Sequence, residues 1–328
     1  ETSILVNNWF MMYFLSVVLI GTVYPIFLEV LSSEKISVGP PFYNKLIIPF
    51  LVPFLLAMTI APKLKWIKSN LQNKFHLISF LLVSFLLSAL IIRNLNLNFL
   101  MNTILVTGTN KGVGLEITRL LSLRGDRVIA CCRRPLEATA LAKLEGDIDI
   151  QEVSVGQDES VGQLANRLKD TPINTIINNA GTMGPEAKHQ SVIDMDFSGW
   201  ADTFNINAMG PVRVMQALLP NLKMTGSPKV MTVTSQMGAL SLDMTSAHAY
   251  CSSKAALNKF MRLASIDLKP EGIAVGLVHP GWVRTDMGGP RAHLSPEESA
   301  AGCIEVTDAL NLENTGGFWK WNGDTHDW

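Results

Sequence analysis

Two patterns of hydrophobic and polar positions divide the chain near residue 100. Before that point, apolar runs cover residues 9–31, 46–61 and 75–92, and few charges lie between them. The first run is long enough, at about 1.5 Å per residue, to cross a bilayer core of about 30 Å. Three such runs within a hundred residues leave too little polar surface for a water-soluble domain. The pattern predicts an all-α transmembrane segment of about three helices.

From Met101 onward, short β-rich runs alternate with helical segments. The runs are ILVTG, DRVIACC, DIQEVSV, NTIINNA, KVMTVTS and IAVGLVHP, and a helix is predicted over residues 113–124 after the first of them. Strands that alternate with helices form a parallel sheet covered on both faces. We therefore expect a Rossmann-like, doubly wound α/β domain over residues 101–328, which is long enough for a sizeable core.

Charge and cysteine content exclude several classes of function. The 328 residues carry 27 basic and 28 acidic side chains, which gives a net charge of −1. The chain therefore lacks the excess of basic residues that is typical of nucleic-acid-binding proteins. Four cysteines are present, none of them in a CxxC pair or at a zinc-site spacing from histidine. We expect no metal site, and reduced thiols in a reducing compartment for this part of the chain.

The charges between the apolar runs predict an orientation that conflicts with a reducing compartment for the α/β domain. The loop before the third run holds four lysines and no acid, which places that loop in the cytoplasm. The third run would then carry the α/β domain out of the cytoplasm. Our hypothesis is that Met101 is the native start of a separate cytoplasmic protein, and that residues 1–100 derive from a neighbouring gene by fusion or by a misjoined reading frame. The first residue, Glu1, also indicates a fragment.

Residues 1–66 resemble a family of their own. The text ETSILVNNWFMMYFLSVVLIGTVYPIFLEVL, followed by KISVGPPFYNKLIIPFLVPFLLAMTIAPKLKW, resembles part of the haem lyase subunit of bacterial cytochrome c maturation. The tryptophan-rich haem-handling motif of that family is absent, and no haem-ligating histidine can be mapped. The resemblance implies a membrane fragment of an assembly factor that does no haem chemistry by itself.

A glycine-containing turn follows the first predicted strand and opens the first predicted helix of the α/β domain. Glycines let the backbone turn tightly and let a pyrophosphate approach the positive end of a helix. The candidate cofactor-binding residues of this turn are Gly108, Asn110, Lys111, Gly112, Val113 and Gly114.

Arg133, at the end of the second predicted strand, stands where enzymes that use NAD place an acid for the ribose 2′-hydroxyl. An arginine at this point suits a 2′-phosphate, and Lys111 adds a second positive charge nearby. Both residues favour NADPH over NADH. The alternative is a solvated basic turn.

The sequence YCSSK contains the candidate acid/base pair. Tyr250 and Lys254 lie one helical turn apart and share a helix face. A lysine cation near a phenol favours the phenolate and lowers a pKa that is ordinarily about 10. Ser235, at the end of a predicted strand, can hold a substrate oxygen against the phenol, and Thr234 is the alternative for that role.

The motifs from residue 102 to residue 328 together resemble the short-chain dehydrogenase/reductase family, most closely its carbonyl-reductase and C-factor-like members. The first turn has the TGxxxGxG spacing of that family, and YCSSK its YxxxK spacing. The resemblance implies that Asn207 completes a proton relay through a water, with Asn205 as the alternative. Ser154 departs from the family, which often has Asp near the end of the third strand.

The resemblance also implies further contacts with the cofactor. Asn179, Ala180 and Gly181 match the family's NAG motif, and Lys254 is expected to contact the nicotinamide ribose. The turn HPGWVRT contributes Pro280, Gly281, Val283 and Thr285. Residues 284–294 are expected to form a short lid, and Met237, Met244 and Trp282 are either pocket-lining or packing residues.

The sequence therefore predicts hydride transfer between NADPH and a small carbonyl or alcohol substrate, catalysed by Ser235, Tyr250, Lys254 and Asn207. Two alternatives remain open: a C-factor-like signalling protein that binds cofactor without turnover, and a membrane-bound assembly fragment. Membrane attachment through residues 9–92 is expected if the chain is a genuine fusion, with the oxidoreductase domain in the cytoplasm. Pairing into a homodimer through the tyrosine-bearing helix is expected only by analogy.

Overall fold

A computed structural model describes residues 11–13, 15, 16, 102–243 and 246–328. The chain divides into two units, Glu1–Leu100 and Met101–Trp328, and the fold given below is that of the second. Most of the predicted apolar runs within residues 9–92, and the resemblance to the haem lyase subunit, lie outside the described residues. Within those that are described, no helix combines the length and apolar character needed to cross a bilayer.

In the described part of the second unit, seven parallel strands form one sheet in the order β3-β2-β1-β4-β5-β6-β7. The strands are β1 (Thr103–Thr107), β2 (Arg127–Cys132), β3 (Ile148–Glu152), β4 (Thr175–Asn178), β5 (Lys229–Val233), β6 (Ala274–His279) and β7 (Phe318–Lys320). The first six follow the six predicted runs. The short strand β7 was missed, because three residues give no recognisable alternation.

Seven α-helices connect these strands in the same part of the chain. They are α1 (Gly112–Arg124), α2 (Asp158–Arg167), α3 (Phe197–Phe204), α4 (Gly210–Ala217), α5 (Leu219–Leu222), α6 (His248–Leu268) and α7 (Pro296–Ala309). A π-helical turn, Asn205–Met209, joins α3 to α4. Such turns are rare and are found mostly at functional sites.

Two hydrophobic clusters cover the two faces of the sheet. Val161, Val214 and Leu257 belong to the cluster under α2, α4 and α6, and Ile117 and Ile304 to the cluster under α1 and α7. Because both faces are covered, the central strands are almost wholly buried and read as continuous apolar runs. The predicted doubly wound α/β fold is confirmed for this unit.

The strand order reverses between β1 and β4, which run side by side with Leu105 paired to Ile176. In open α/β sheets, ligands bind beyond the carboxyl ends of the strands at such a reversal. The segments that follow β1, β4, β5 and β6 meet at that edge, and they carry the predicted motifs.

The helix α7 begins with a capping box that the sequence SPEE encodes. The hydroxyl of Ser295 accepts a hydrogen bond from the amide of Glu298 at 3.1 Å, and the Glu298 carboxylate accepts one from the amide of Ser295 at 2.8 Å. Two amides that lack helical partners are thereby satisfied.

Ser295→Ala is expected to lower the free energy of unfolding by about 1 kcal/mol, because it removes one half of the capping box. Urea unfolding followed by circular dichroism measures the change. Glu305→Ala, at an exposed position of the same helix, is the control and is expected to change stability by less than about 0.5 kcal/mol. Equal losses in the two variants would contradict the role of the cap.

Candidate active site

The turn after β1 is shaped for close approach by a ligand's phosphates. Gly108 has φ +73°, a left-handed conformation, and its amide donates to the carbonyl of Cys131 at 2.8 Å. A β-carbon on Gly114 would overlap the carbonyl oxygen of Gly108 and the side-chain amide of Asn179. Helix α1 therefore starts directly against the turn, with no acidic residue in its first turn to oppose an anion.

The predicted NAG segment is fastened to this turn by hydrogen bonds. The hydroxyl of Thr107 accepts from the amides of Asn179 and Ala180, each at 3.0 Å. The side-chain amide of Asn179 donates to the carbonyls of Thr107 at 3.0 Å and Gly108 at 3.2 Å. Thr107 was not among the predicted site residues, although it is the threonine of the TGxxxGxG turn.

Positive side chains lie around the end of β2. Arg133 is exposed and makes no ion pair within the described ranges, whereas the neighbouring Arg134 pairs with Glu137 at 3.2 Å. Lys111 reaches across to Asp286 of the lid at 2.7 Å, and both side chains are largely exposed. Ser154 follows β3, and its amide donates to the hydroxyl of Ser160 at 2.9 Å. Arg133 is thus a cation available to an anionic ligand.

The first two turns of α6 carry Tyr250 and Lys254, both buried. The Lys254 ammonium donates to the carbonyl of Val233 at 3.0 Å and lies 5.8 Å from the centre of the Tyr250 ring. The side chain of Ser235, in the segment after β5, lies near the phenol and acts to lower its pKa. The structure therefore brings these three predicted residues together.

Burial dominates the ionisation of this pair. It raises the pKa of Tyr250 to about 12, although Ser235 acts in the opposite direction. It also lowers the pKa of Lys254 to about 8. The lysine was expected to lower the pKa of the tyrosine, and this expectation is not met in this structure. Burial of the phenolate raises that pKa by more than Ser235 lowers it.

Ser235 and Thr234 have different surroundings, although both are buried. Ser235 lies near the phenol, and its hydroxyl accepts from the amide of Met237 at 3.2 Å. Thr234 points into the core, where its hydroxyl donates to the side-chain oxygen of Asn258 at 2.5 Å. Ser235 is therefore the hydroxyl that faces Tyr250.

The π-helical turn directs Asn207 into the interior, where it is fully buried. Its amide nitrogen donates to the carbonyl of Thr182 at 2.8 Å and the hydroxyl of Ser253 at 3.0 Å, and its oxygen accepts from the amide of Thr182 at 2.8 Å. A β-carbon on Gly181 would lie 3.2 Å from this oxygen and 3.7 Å from the Lys254 ammonium nitrogen. Asn207 thus lies beside the NAG segment and the lysine.

The alternative residue, Asn205, lies elsewhere. Its amide nitrogen donates to the carbonyl of Gly156 at 2.9 Å, and its oxygen accepts from Arg213 at 3.1 Å. Through these hydrogen bonds the Asn205 side chain binds the loop after β3.

The turn after β6 and the predicted lid form one closed loop. The carbonyl of Pro280 accepts from Ser299 at 2.6 Å, and Gly281 has φ +84°. Val283 is buried and bridges to Leu294, which joins the two ends of the loop. The methyl group of Thr285 would lie 3.2 Å from a β-carbon on Gly112, so the loop reaches the glycine turn.

Two of the three residues predicted either to line the pocket or to pack, Trp282 and Met237, lie in the described part of the chain. Trp282 is 46% exposed, and its indole donates to the carbonyl of Gly288 at 2.8 Å, within the lid. Met237 lies in the short helical turn after Ser235. Met244 lies outside the described residues.

Comparison with known proteins agrees with this arrangement. Residues 102–294 match the sequence model of the short chain dehydrogenase family. The C-signal protein of Myxococcus xanthus is 45% identical over 158 residues, which are 48% of this chain and 93% of that protein. The 1-hydroxy-2-glutathionyl-2-methyl-3-butene dehydrogenase of Rhodococcus sp. strain AD45 is 35% identical over 239 residues, 70% of this chain and all of that enzyme.

Solved structures with the same fold include carbonyl reductases. The NADPH-bound carbonyl reductase from chicken fatty liver has a TM-score of 0.64 and 30% identity, and the match covers 70% of this chain and 99% of that one. A carbonyl reductase of Pseudomonas aeruginosa PAO1 in complex with NADP has a TM-score of 0.62 and 30% identity, over 70% of this chain and all of that one. This chain belongs to the short chain dehydrogenase family of oxidoreductases.

Proposed function

We propose that the chain reduces a small carbonyl compound, or oxidises the matching alcohol, with NADPH as cofactor. The observation that carries the proposal is the buried phenol of Tyr250, which lies near Ser235 and 5.8 Å, measured from its ring centre, from the Lys254 ammonium nitrogen. These groups stand beside the turn after β1, whose glycines and helix N-terminus fit a pyrophosphate. The similar chicken and Pseudomonas carbonyl reductases hold NADPH and NADP, respectively.

The chain's own residues are proposed to supply orientation and a proton. With a pKa of about 12, Tyr250 is protonated at neutral pH and can donate to a carbonyl oxygen that Ser235 holds. The Lys254 ammonium then stabilises the phenolate that remains. When bound, NADPH supplies the hydride. Asn207 retains one lone pair on its oxygen, which is proposed to anchor a relay water.

For the cofactor, the proposed contacts are those of the glycine turn, the NAG segment and the turn after β6. Arg133 and Lys111 are proposed to hold the 2′-phosphate, which requires Lys111 to leave Asp286. Thr285 and Val283 are proposed to face the nicotinamide, and Lys254 its ribose.

A C-factor-like role without turnover is the second candidate, favoured by the 45% identity to the C-signal protein. A protein of this kind would bind NADPH but would consume none in the presence of aldehydes and ketones. Assaying NADPH oxidation with a panel of both compound classes separates the two functions.

We propose separately that, if the chain is a genuine fusion, the apolar runs within residues 9–92 attach it to a membrane. The oxidoreductase unit is proposed to lie in the cytoplasm, although the lysines before the third run predict the opposite side. Removing residues 1–100 is the test. If the remainder is soluble and keeps its turnover, those runs are dispensable for the chemistry. Loss of turnover would contradict the hypothesis of a separate enzyme that starts at Met101.

Tyr250→Phe is expected to lower kcat for carbonyl reduction by about 100- to 10,000-fold, because the proton donor is lost while the ring remains. NADPH binding, measured by fluorescence titration, is expected to change little. The control is Cys251→Ala, at the next position of α6, where the thiol points to the carbonyl of Ser246. A Tyr250→Phe variant with normal kcat would exclude the proposed acid.

Arg133→Ala is expected to weaken NADPH binding by tenfold or more and to leave NADH binding nearly unchanged, because only NADPH carries the 2′-phosphate. Arg134→Ala is the matched control, since that neighbour is already paired with Glu137. Titrations with both cofactors measure the effect. A wild-type preference for NADH, or equal effects of the two substitutions, would contradict the assignment.

Lys254→Met is expected to be inactive but more stable than the wild type at pH 7. The pKa of Lys254 is lowered from 10.5 to about 8, so the unfolded chain binds a proton that the folded chain releases between these values. Wild-type stability therefore rises with pH from about 8 to 10.5. The shift corresponds to about 3 kcal/mol at pH 7.

Urea unfolding at pH 7 and pH 10 measures this difference. The stability gap between Lys254→Met and the wild type is expected to narrow as the pH rises. A gap that stays constant over this interval would show that Lys254 is not the titrating group.

A further inference from the structure

The helix that carries Tyr250 lacks a capping residue of its own. The residue before α6 is Ala247, which has φ +56° and no side chain able to accept a hydrogen bond. A left-handed alanine is costly and persists only where the surrounding structure enforces it. The first amides of a helix have no partner within the helix and need acceptors from elsewhere.

The acceptor is Gln190, a buried residue 60 positions before Tyr250 that is 3% exposed. Its side-chain oxygen accepts from the amide of Ala249 at 3.1 Å and from that of Tyr250 at 3.4 Å. A glutamine thereby caps α6 from a distant part of the chain, in place of a local Ser, Thr, Asn or Asp.

The nitrogen of the Gln190 side-chain amide also makes two hydrogen bonds. It donates to the carbonyl of Met183 at 3.0 Å and to the carbonyl of Pro185 at 2.7 Å. Both carbonyls belong to the segment that follows the NAG motif after β4. All four hydrogen-bonding positions of the Gln190 amide are therefore filled, and the orientation of the amide is fixed.

The backbone holds Gln190 in place from both sides. It follows a short helical turn, Ala187–His189, and its amide donates to the carbonyl of Ala187 at 3.3 Å. Gln190 also bridges to Met195 across a tight turn. The link is thus built from a rigid turn and a fully satisfied side chain.

We infer that Gln190 is a positioning residue, which sets the place of Tyr250 by tying the start of α6 to the segment that follows the NAG motif. The inference rests on the proposed function, because it assumes that Tyr250 is the acid. Tyr250 contributes one of the two bonded amides, so a shift at Gln190 moves its backbone directly. The same link keeps the phenol in register with the turn that is proposed to hold the cofactor.

Gln190→Met keeps the volume and removes all four hydrogen bonds. A displacement of about 1 Å in a catalytic group can cost about 100-fold in rate, so kcat is expected to fall by about 10- to 100-fold. KM and the Kd for NADPH are expected to change by less than about threefold, because Gln190 touches none of the residues proposed to bind the cofactor.

Asn221→Leu is the matched control. Asn221 is also a buried amide that ties two segments, since its nitrogen donates to the carbonyls of Leu168 at 2.6 Å and Thr171 at 2.9 Å. These segments lie before β4, at the edge of the sheet opposite the catalytic residues. Its urea midpoint is expected to fall as much as that of Gln190→Met, whereas its kcat is expected to remain normal. Equal kcat in both variants would overturn the inference.

Gln190→Glu is the rescue variant. It also replaces Gln190→Met as the test if that variant does not fold. A glutamate, ionised or neutral, still offers an oxygen to the two amides of α6. It is expected to keep a kcat at least about threefold above that of Gln190→Met, or, where the latter does not fold, to yield a folded enzyme with measurable turnover. A folded Gln190→Glu enzyme without turnover would contradict the role assigned to the α6 bonds.

Hydrogen exchange gives a readout that does not depend on activity. Exchange of the amides of Ala249 and Tyr250 is expected to be at least about tenfold faster in Gln190→Met than in Asn221→Leu. If the wild type reduces no carbonyl compound, the proposed function fails while this comparison still tests the link. Equal exchange rates would overturn the link itself.

Discussion

Lys254 keeps an ammonium group inside the fold, and the arrangement of the active site depends on how that group is accommodated. Only 4% of the residue is exposed, and its nitrogen donates to the carbonyl of Val233 at the end of β5. A buried cation is costly unless hydrogen bonds replace its water. The carboxyl ends of parallel strands supply free carbonyls at one edge of the sheet, so this edge is where such a lysine can be held.

The same burial acts on the phenol in the opposite sense. It raises the pKa of Tyr250 and lowers that of Lys254, so that each group is pushed towards its neutral form. A neutral phenol is the form that donates a proton to a carbonyl oxygen. Burial therefore keeps Tyr250 in its neutral, protonated form at pH 7, whereas Lys254, with a pKa of about 8, still carries its charge at that pH.

Three side-chain amides join the elements around this pair by hydrogen bonds. Asn179 joins the segment after β4 to the turn after β1, and Asn207 joins it to Ser253 of α6. Gln190 joins it to the first turn of α6. Each amide offers both donors and acceptors and can satisfy two segments that share no secondary structure. The loops after β1 and β4 and the start of α6 are thereby joined although no ladder of backbone hydrogen bonds links them.

Local patterns in the sequence were sufficient to predict six strands of the sheet and the motifs that follow them. Six of the seven described strands follow runs of β-branched and apolar residues, and Gly108 and Gly114 stand where backbone conformation or close contact admits little else. The i, i+4 spacing of Tyr250 and Lys254 follows from helix geometry. Each of these signals lies within a few residues of the feature it predicts, and therefore needs no knowledge of distant contacts.

Only the tertiary structure determined the features that depend on burial or on contacts between residues far apart in the chain. Which of Ser235 and Thr234 lies beside the Tyr250 phenol, and which of Asn207 and Asn205 lies beside the NAG segment, follows from side-chain directions in the fold that no residue type reveals. The direction of the Tyr250 pKa shift follows from desolvation by the whole fold and was wrongly predicted from the neighbouring lysine alone. The cap on α6 comes from Gln190, 60 residues away, because a hydrogen bond requires proximity in space and not in sequence.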